Sequence, residues 1–371
     1  MNDNEMIELL RSGKLTRRQM GKVLASVGVG LMASPLLSRQ AAAEEVDLTL
    51  LEWNGYEYES FHPEYNAKYG GQPEVTFFAA EMDAFTKMQA GFKCDLVHPC
   101  TGQINMFRDA GLIKPLETDR IPRWGEIIPY LLTVKDVQSQ GETWFAPWDW
   151  GFSTVSYNPD VIDIKKEDAT FAIYVDPKYK GKTALDSGIG VNVAIAGVID
   201  GWAEPLNPTE AEMERAPALF TAMLENARFV WTDSTQLEQA WINGDVGISY
   251  VYGSASRRMK EEGMPIVVLD PVLPWMCGLC VSTTGDGSED QAYDYINAML
   301  DPVGGVSLFD VYGYGHGNKN TFDLIDPEKL YAADLNDPEG LLSRGVFFDE
   351  IPPEKNARLI QMWEEAQAGL E

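Results

Sequence analysis

The chain has 371 residues, with 57 Asp or Glu against 29 Lys or Arg and a formal net charge of −28. A surface this acidic repels nucleic acid and anionic lipid, both of which need clustered basic side chains, and it keeps a protein soluble at high salt. Aromatic residues at 11% and ten Trp mark a folded rather than a disordered chain, and the length favours two lobes, because a single core rarely grows beyond about 250 to 300 residues.

The first element in chain order is an export signal. Thr16-Arg17-Arg18-Gln19-Met20-Gly21-Lys22 precedes an apolar run over residues 23–37 and then Ala41-Ala42-Ala43. These are the charged, apolar and small-residue parts of a signal peptide, here carrying a twin arginine. The apolar run is too short to span a bilayer, which takes about 20 residues, and no Cys stands near its end to accept lipid. We therefore expect residues 1–43 to be a twin-arginine signal peptide and the remainder to be free in a bacterial periplasm. Its removal takes away six basic and three acidic residues, leaving 23 against 54 and a net charge of −31.

Beyond the signal, strand and helix patterns alternate, which predicts α/β layering. Residues 46–53 alternate as a strand, 82–90 read as a helix, 95–97 as a short buried strand, and 103–110 as a helix stopped by Gly111. Two further units follow, a strand over 182–185 with a helix from about Gly190, and a strand over 246–252 with a helix from Ser254. Each is a strand, a small-residue turn and a helix N-terminus. In open α/β sheets ligands collect at such strand ends, where turn amides point outward. The proline-rich stretch 270–275 and the region around Trp150-Gly151 read as crossings between lobes.

Cys94, Cys100, Cys277 and Cys280 allow three disulfide pairings in an oxidising compartment, and the sequence does not choose among them. Cys277-Gly278-Leu279-Cys280 has zinc-site spacing, but His62, His98 and His316 are the only histidines available to complete a site, so neither metal nor cofactor is expected. Enzyme motifs are incomplete. Cys280 is followed by Val281, not the His of a haem-attachment motif. Gly188-Ile189-Gly190 has Val193 where a dinucleotide fingerprint needs its third glycine, and Gly253-Ser254-Ala255-Ser256-Arg257 is not a nucleophile elbow. Tyr312, Tyr314 and His316 are the sole hint of a ferric-ion ligand set. No catalytic activity is expected.

Six motifs occur in an ordered series: Leu51-Glu52-Trp53-Asn54-Gly55-Tyr56, Cys94-Asp95-Leu96-Val97-His98-Pro99, Gly111-Leu112-Ile113-Lys114-Pro115-Leu116, Phe145-Ala146-Pro147-Trp148-Asp149-Trp150-Gly151, Pro177-Lys178-Tyr179-Lys180-Gly181 and Tyr252-Gly253-Ser254-Ala255. In this order and spacing the chain resembles the spermidine/putrescine-binding proteins, periplasmic receptors of ABC importers, over nearly all of its mature length. The resemblance implies an α/β, two-lobe periplasmic-binding-protein fold of type II with the ligand cleft between lobes. Residues 44–150 with 277–322 would form lobe 1, and 151–276 with 323–371 lobe 2. It also implies capture of a small-molecule solute by hinge closure, delivery to ABC transporter permease subunits, and a monomer.

The departures from that family bear on the ligand. The carboxylates that grip polyamine ammonium groups fall here on Gly55, Gly188, Val191 and Cys277, leaving Asp149 and Asp186 as candidate acids. A buried ammonium without a paired carboxylate costs several kcal/mol. The aromatic positions, in contrast, are kept at Trp53, Tyr56, Trp150, Trp275 and Tyr314, and Trp148 adds another. An aromatic box without carboxylates suits a permanently methylated cation, held by ring faces at roughly 0.5 to 2 kcal/mol each. The turn at Ser187-Gly188-Ile189-Gly190 offers a cradle for an anionic group at a helix N-terminus, with Thr101 and Asn54 as hydrogen-bond donors. Cys277 either touches ligand or pairs with Cys280. The expected ligand is a small onium zwitterion, such as dimethylsulfoniopropionate or glycine betaine, with putrescine or spermidine as the alternative. Trp124, Trp144, Trp202, Trp231, Trp241 and Trp363 are read as structural, and Arg257 as part of a solvated helix face.

Overall fold

A computed structural model describes residues 46–370; the export signal expected over residues 1–43 lies outside the described residues. Strand β1 (Thr49–Trp53) pairs in parallel with β2 (Glu74–Phe78) on one side and β3 (Leu96–Val97) on the other. Parallel strands covered on both faces carry continuous apolar runs rather than alternation, and Leu50, Leu51, Leu96 and Val97 are all buried. Helix α1 (Glu81–Gln89) follows β2 and packs Ala84 and Met88 inward, four residues apart on one face.

Two long strands join the halves of the sheet. Strand β4 (Ala146–Tyr157) is buried at all twelve positions. It accepts two antiparallel partners besides short bridging strands: β7 (Ile248–Tyr252) and β8 (Leu273–Ser282). Beyond β7 lie β5 (Thr183–Asp186) and β6 (Ala227–Trp231), both parallel to it through β5. The order across the sheet is β2-β1-β3-β8-β4-β7-β5-β6. Gly278 permits the close approach of β8 to β4: a Cβ there would lie 2.2 Å from the Ala146 carbonyl oxygen, and the register slips between Cys277 and Gly278. A bulge of this kind re-aims the side chains on either side of it.

Helix α2 (Ile189–Asp200) leaves the end of β5 and stops at Gly201, whose φ of 71° is left-handed. Apart from Asn192 and the terminal Asp200 its sequence is apolar, as expected of a helix enclosed by its neighbours; Asn192 to Gly197 are buried without interruption. Helix α3 (Gly253–Glu261) leaves the end of β7, and helix α4 (Pro302–Tyr312) ends at Gly313. Helix α5 (Pro353–Ala368) closes the described chain and packs Leu359 and Trp363 inward.

The buried apolar residues form two separate cores, one per lobe. The first draws on β1, β3, β8 and β4 as far as Phe152, with residues 292–342. The second draws on residues 155–269, Leu273 and the inward face of α5. Passage from one core to the other occurs within β4 between Phe152 and Val155, across the start of β8 between Leu269 and Met276, and again between Leu342 and Ile351. No helix among the described residues is long and apolar enough to cross a membrane.

Candidate ligand-binding cleft

Two chambers meet where the lobes face each other. The larger, about 510 Å³, is walled by Glu81 and Thr101 from the first lobe and by Gly190, Tyr250 and Tyr252 from the second, with Trp275 and Phe348 between. The smaller, about 250 Å³, is walled by Ser153, Tyr252, Ser254, Trp275 and Tyr314. Ser153, Tyr252 and Trp275 belong to both. The walls come from the ends of β3, β5 and β7 and the helix starts that follow them, the strand-end location expected of an α/β ligand site. Volumes of this order hold metabolite-sized molecules.

Trp275 owes its placement to Gly151, its partner in the β4–β8 register. A Cβ on residue 151 would lie 2.5 Å from the indole ring, closer than real contacts allow, so only glycine lets the ring lie across the strand. The free edge of that ring meets Tyr314 at a centroid distance of 4.8 Å and an interplanar angle of 85°.

The cleft is electrostatically one-sided. None of the residues walling the two chambers is Lys, Arg or His. Glu81, at the first position of α1, accepts a hydrogen bond of 2.7 Å from the Cys100 N–H. Burial pushes its carboxyl up to about 7, against the opposing pull of that bond. Glu81 was not among the expected site residues. Its partner loop lies 19 residues away, so its position in the wall follows from the fold and not from spacing. Asp186, raised by burial, accepts from the Gly188 N–H at 2.6 Å and from the Tyr252 hydroxyl at 3.3 Å. The Ser187 N–H donates to the Trp231 carbonyl at 3.0 Å. The turn expected to cradle a ligand anion thus already holds the chain's own carboxylate.

The expected residues divide into those at the chambers and those beneath them. Trp275, Tyr314 and Thr101 are chamber walls. Ser187 and Gly188 are exposed beside them. Trp53 is half-buried against Phe78, at a centroid distance of 4.5 Å, and Asn54 is exposed, its N–H donating to the Phe78 carbonyl at 3.0 Å. Trp148, Asp149 and Trp150 are all buried in the first core; the Trp150 indole N–H donates to the His316 carbonyl at 3.0 Å. Cys277 is neither a free thiol nor paired with Cys280: it is bonded to Cys100, 177 residues away. Residues three apart on a strand project to opposite faces, so Cys277 and Cys280 of β8 cannot turn toward each other, whereas Cys100 lies beside Cys277 in an antiparallel bridge. Cys94 and Cys280 are free and buried.

Beneath the chambers lies a fully buried ionic cluster. The His98 ring is hydrogen-bonded through Nδ1 to Glu52 and through Nε2 to Asp149 at 2.9 Å, and the Tyr56 hydroxyl donates to the other Asp149 oxygen at 2.9 Å. A carboxylate at each ring nitrogen requires a donor at each, which only the imidazolium supplies. Burial opposes that charge, but Glu52 and Asp149 outweigh it and hold His98 up to about 10. Glu52 is raised by burial and pulled back by His98. Trp148 packs against the His98 and Tyr56 rings at 5.1 and 5.6 Å.

Comparison with known proteins shows what the chain as a whole resembles. The profile of the family described as bacterial extracellular solute-binding protein matches residues 63–335. The putrescine-binding periplasmic protein PotF of Escherichia coli is 24% identical over 323 residues, covering 81% of this chain and 86% of its own. A spermidine/putrescine-binding periplasmic protein of Salmonella typhimurium is 22% identical over 261 residues, covering 69% and 73%. Among solved structures, the spermidine/putrescine ABC transporter substrate-binding protein PotD of Streptococcus pneumoniae superposes with a TM-score of 0.75 at 19% identity, over 87% of this chain and 99% of that one.

Proposed function

Since the chain belongs to the bacterial extracellular solute-binding proteins, we propose that it is the periplasmic substrate-binding component of an ABC importer and that its solute is a small onium zwitterion, dimethylsulfoniopropionate or glycine betaine being representative. The carrying observation is the pairing of aromatic walls, Trp275, Tyr252 and Tyr314, with the absence of any basic side chain from the chamber linings. Such a lining favours positive charge. A methylated head has no N–H to donate, so it gains from ring faces and demands no dedicated carboxylate. The chain's permease partners and hinge closure belong to the same proposal.

Glu81 favours a second reading. A carboxylate in the chamber wall is an anchor for a primary ammonium group, and the relatives PotF and the Salmonella protein are polyamine receptors by name. Calorimetric titration of the purified protein with dimethylsulfoniopropionate, glycine betaine, choline, putrescine and spermidine separates the two. Tight binding of an onium zwitterion with none for polyamines supports the first; tight polyamine binding overturns it in favour of the second.

A further inference from the structure

We infer that His98 is a positioning residue for the aromatic wall of the cleft, acting from the buried ionic cluster through Tyr56 and Tyr312 on Tyr314 and Trp275. The inference rests on the proposal that the two chambers hold the solute. Three tyrosine rings stand in a near-parallel stack. Tyr56 lies on Tyr312 at 5.3 Å and 22°, and Tyr312 lies on Tyr314 at 5.2 Å and 20°. Tyr314 then meets the edge of Trp275. One end of this ladder is a chamber wall and the other is bonded to Asp149.

The cluster is a costly way to stabilise a core, since desolvation of buried ions consumes most of their mutual attraction. It does fix geometry. Asp149 has no exposed surface, and His98 and Tyr56 hold its two oxygens, one each. His98 is itself locked by Glu52 on its far side. The Tyr56 ring therefore has one orientation, closed in by Trp148 and by Phe61 at 6.3 Å. Tyr312, whose hydroxyl donates to the Gly55 carbonyl, cannot tilt without displacing Tyr56 or Tyr314. An aromatic wall for an onium head works only if its faces are preset, because rings that must be ordered on binding subtract that cost from affinity.

The test uses the full protein and the variants Tyr56→Phe, His98→Gln and Tyr312→Leu, with glycine betaine and putrescine as probes. Tyr56→Phe keeps the ring and removes only its bond to Asp149. It leaves one oxygen of buried Asp149 without its donor, so it should lower the melting temperature modestly; it should also alter the tryptophan bands of the unliganded protein's near-ultraviolet circular dichroism, where tyrosine does not absorb, and weaken whichever probe binds by about tenfold. Tyr312→Leu should do the same by breaking the stack, and His98→Gln, where it folds, should follow Tyr56→Phe. A purely structural role would lower the melting temperature and leave both affinity and the tryptophan bands alone. Wild-type affinity together with wild-type tryptophan bands in Tyr56→Phe overturns the inference. If neither probe binds the wild type, the proposed function has failed on its own account; the tryptophan bands of unliganded Tyr56→Phe, to which the deleted tyrosine does not contribute, then decide the ladder, a change supporting it and no change sinking it.

Discussion

Trp275 and Trp150 sit on neighbouring strands yet should respond to mutation in opposite ways. Trp275 is half-buried and walls both chambers, so Trp275→Ala should weaken solute binding by about 1 to 3 kcal/mol with the fold intact. Gly151→Ala should reproduce part of that loss, because the added methyl would lie 2.5 Å from the indole and must push it aside. Trp150 is fully buried; Trp150→Ala should cost about 3 to 5 kcal/mol of stability through the cavity left behind. Titration and thermal melts of the three variants check the division, and wild-type affinity in Trp275→Ala would remove that ring from the site. Glu81 makes a pH prediction. Its folded carboxyl is raised to about 7, so the stability that its proton contributes is present at low pH and lost as pH rises through that value. A bound cation favours the ionised form, so affinity should climb between about pH 5.5 and 8.5, and Glu81→Gln should flatten the slope. A wild-type affinity independent of pH would show that Glu81 does not face the solute.

Elements with a clear period or punctuation were legible in the sequence. The helix expected over 82–90 is α1 (Glu81–Gln89), and the strand expected over 182–185 is β5 (Thr183–Asp186). The two strands that organise the molecule were not. β4 and β8 are buried along almost their whole length, so neither alternates, and Pro147, Asp149, Gly151 and Pro274 interrupt any apolar run. The same blindness affected the site. Trp148, Asp149 and Trp150 were grouped with the cleft because they share one motif, but chain position does not say which side chains have solvent before them, and all three lie in the core. Thr101, Trp275 and Tyr314, grouped with the cleft on the same footing, line the chambers. The Cys100–Cys277 bond was unreadable, since it joins segments 177 residues apart. Closing so long a loop restricts the unfolded chain, and reduction, or Cys100→Ser with Cys277→Ser, should lower stability by about 2 to 4 kcal/mol in a thermal or urea melt. An unchanged midpoint after reduction would mean the bond contributes nothing to the native balance.

At the scale of the molecule, the proposed hinge closure would act through the few segments that join the two cores. β4, β8 and the segment at 342–351 are the passages between them, and the last also ties across the cleft mouth. Its Val346 and Phe348 N–H groups donate to the Val272 and Pro274 carbonyls at 2.9 and 2.7 Å, and its Asp349 meets Lys135 at 2.6 Å. The two central strands share an antiparallel ladder from Leu273 opposite Ser153 to Leu279 opposite Ala146, broken by the register shift between Cys277 and Gly278, and the proposed bending falls where the cores change hands. On the proposed closure, a solute touching both walls shifts the equilibrium between open and closed forms by its differential affinity for the closed form. Solute should therefore reduce the radius of gyration in X-ray scattering and raise the melting temperature, by about 2.7 kcal/mol of added stability at a hundredfold excess over the dissociation constant. The two readouts separate closure from mere binding. A higher melting temperature at constant radius would mean that the solute is held by one lobe alone, and Tyr252, on the second lobe, would then lose its role while Tyr314, on the first, kept its own.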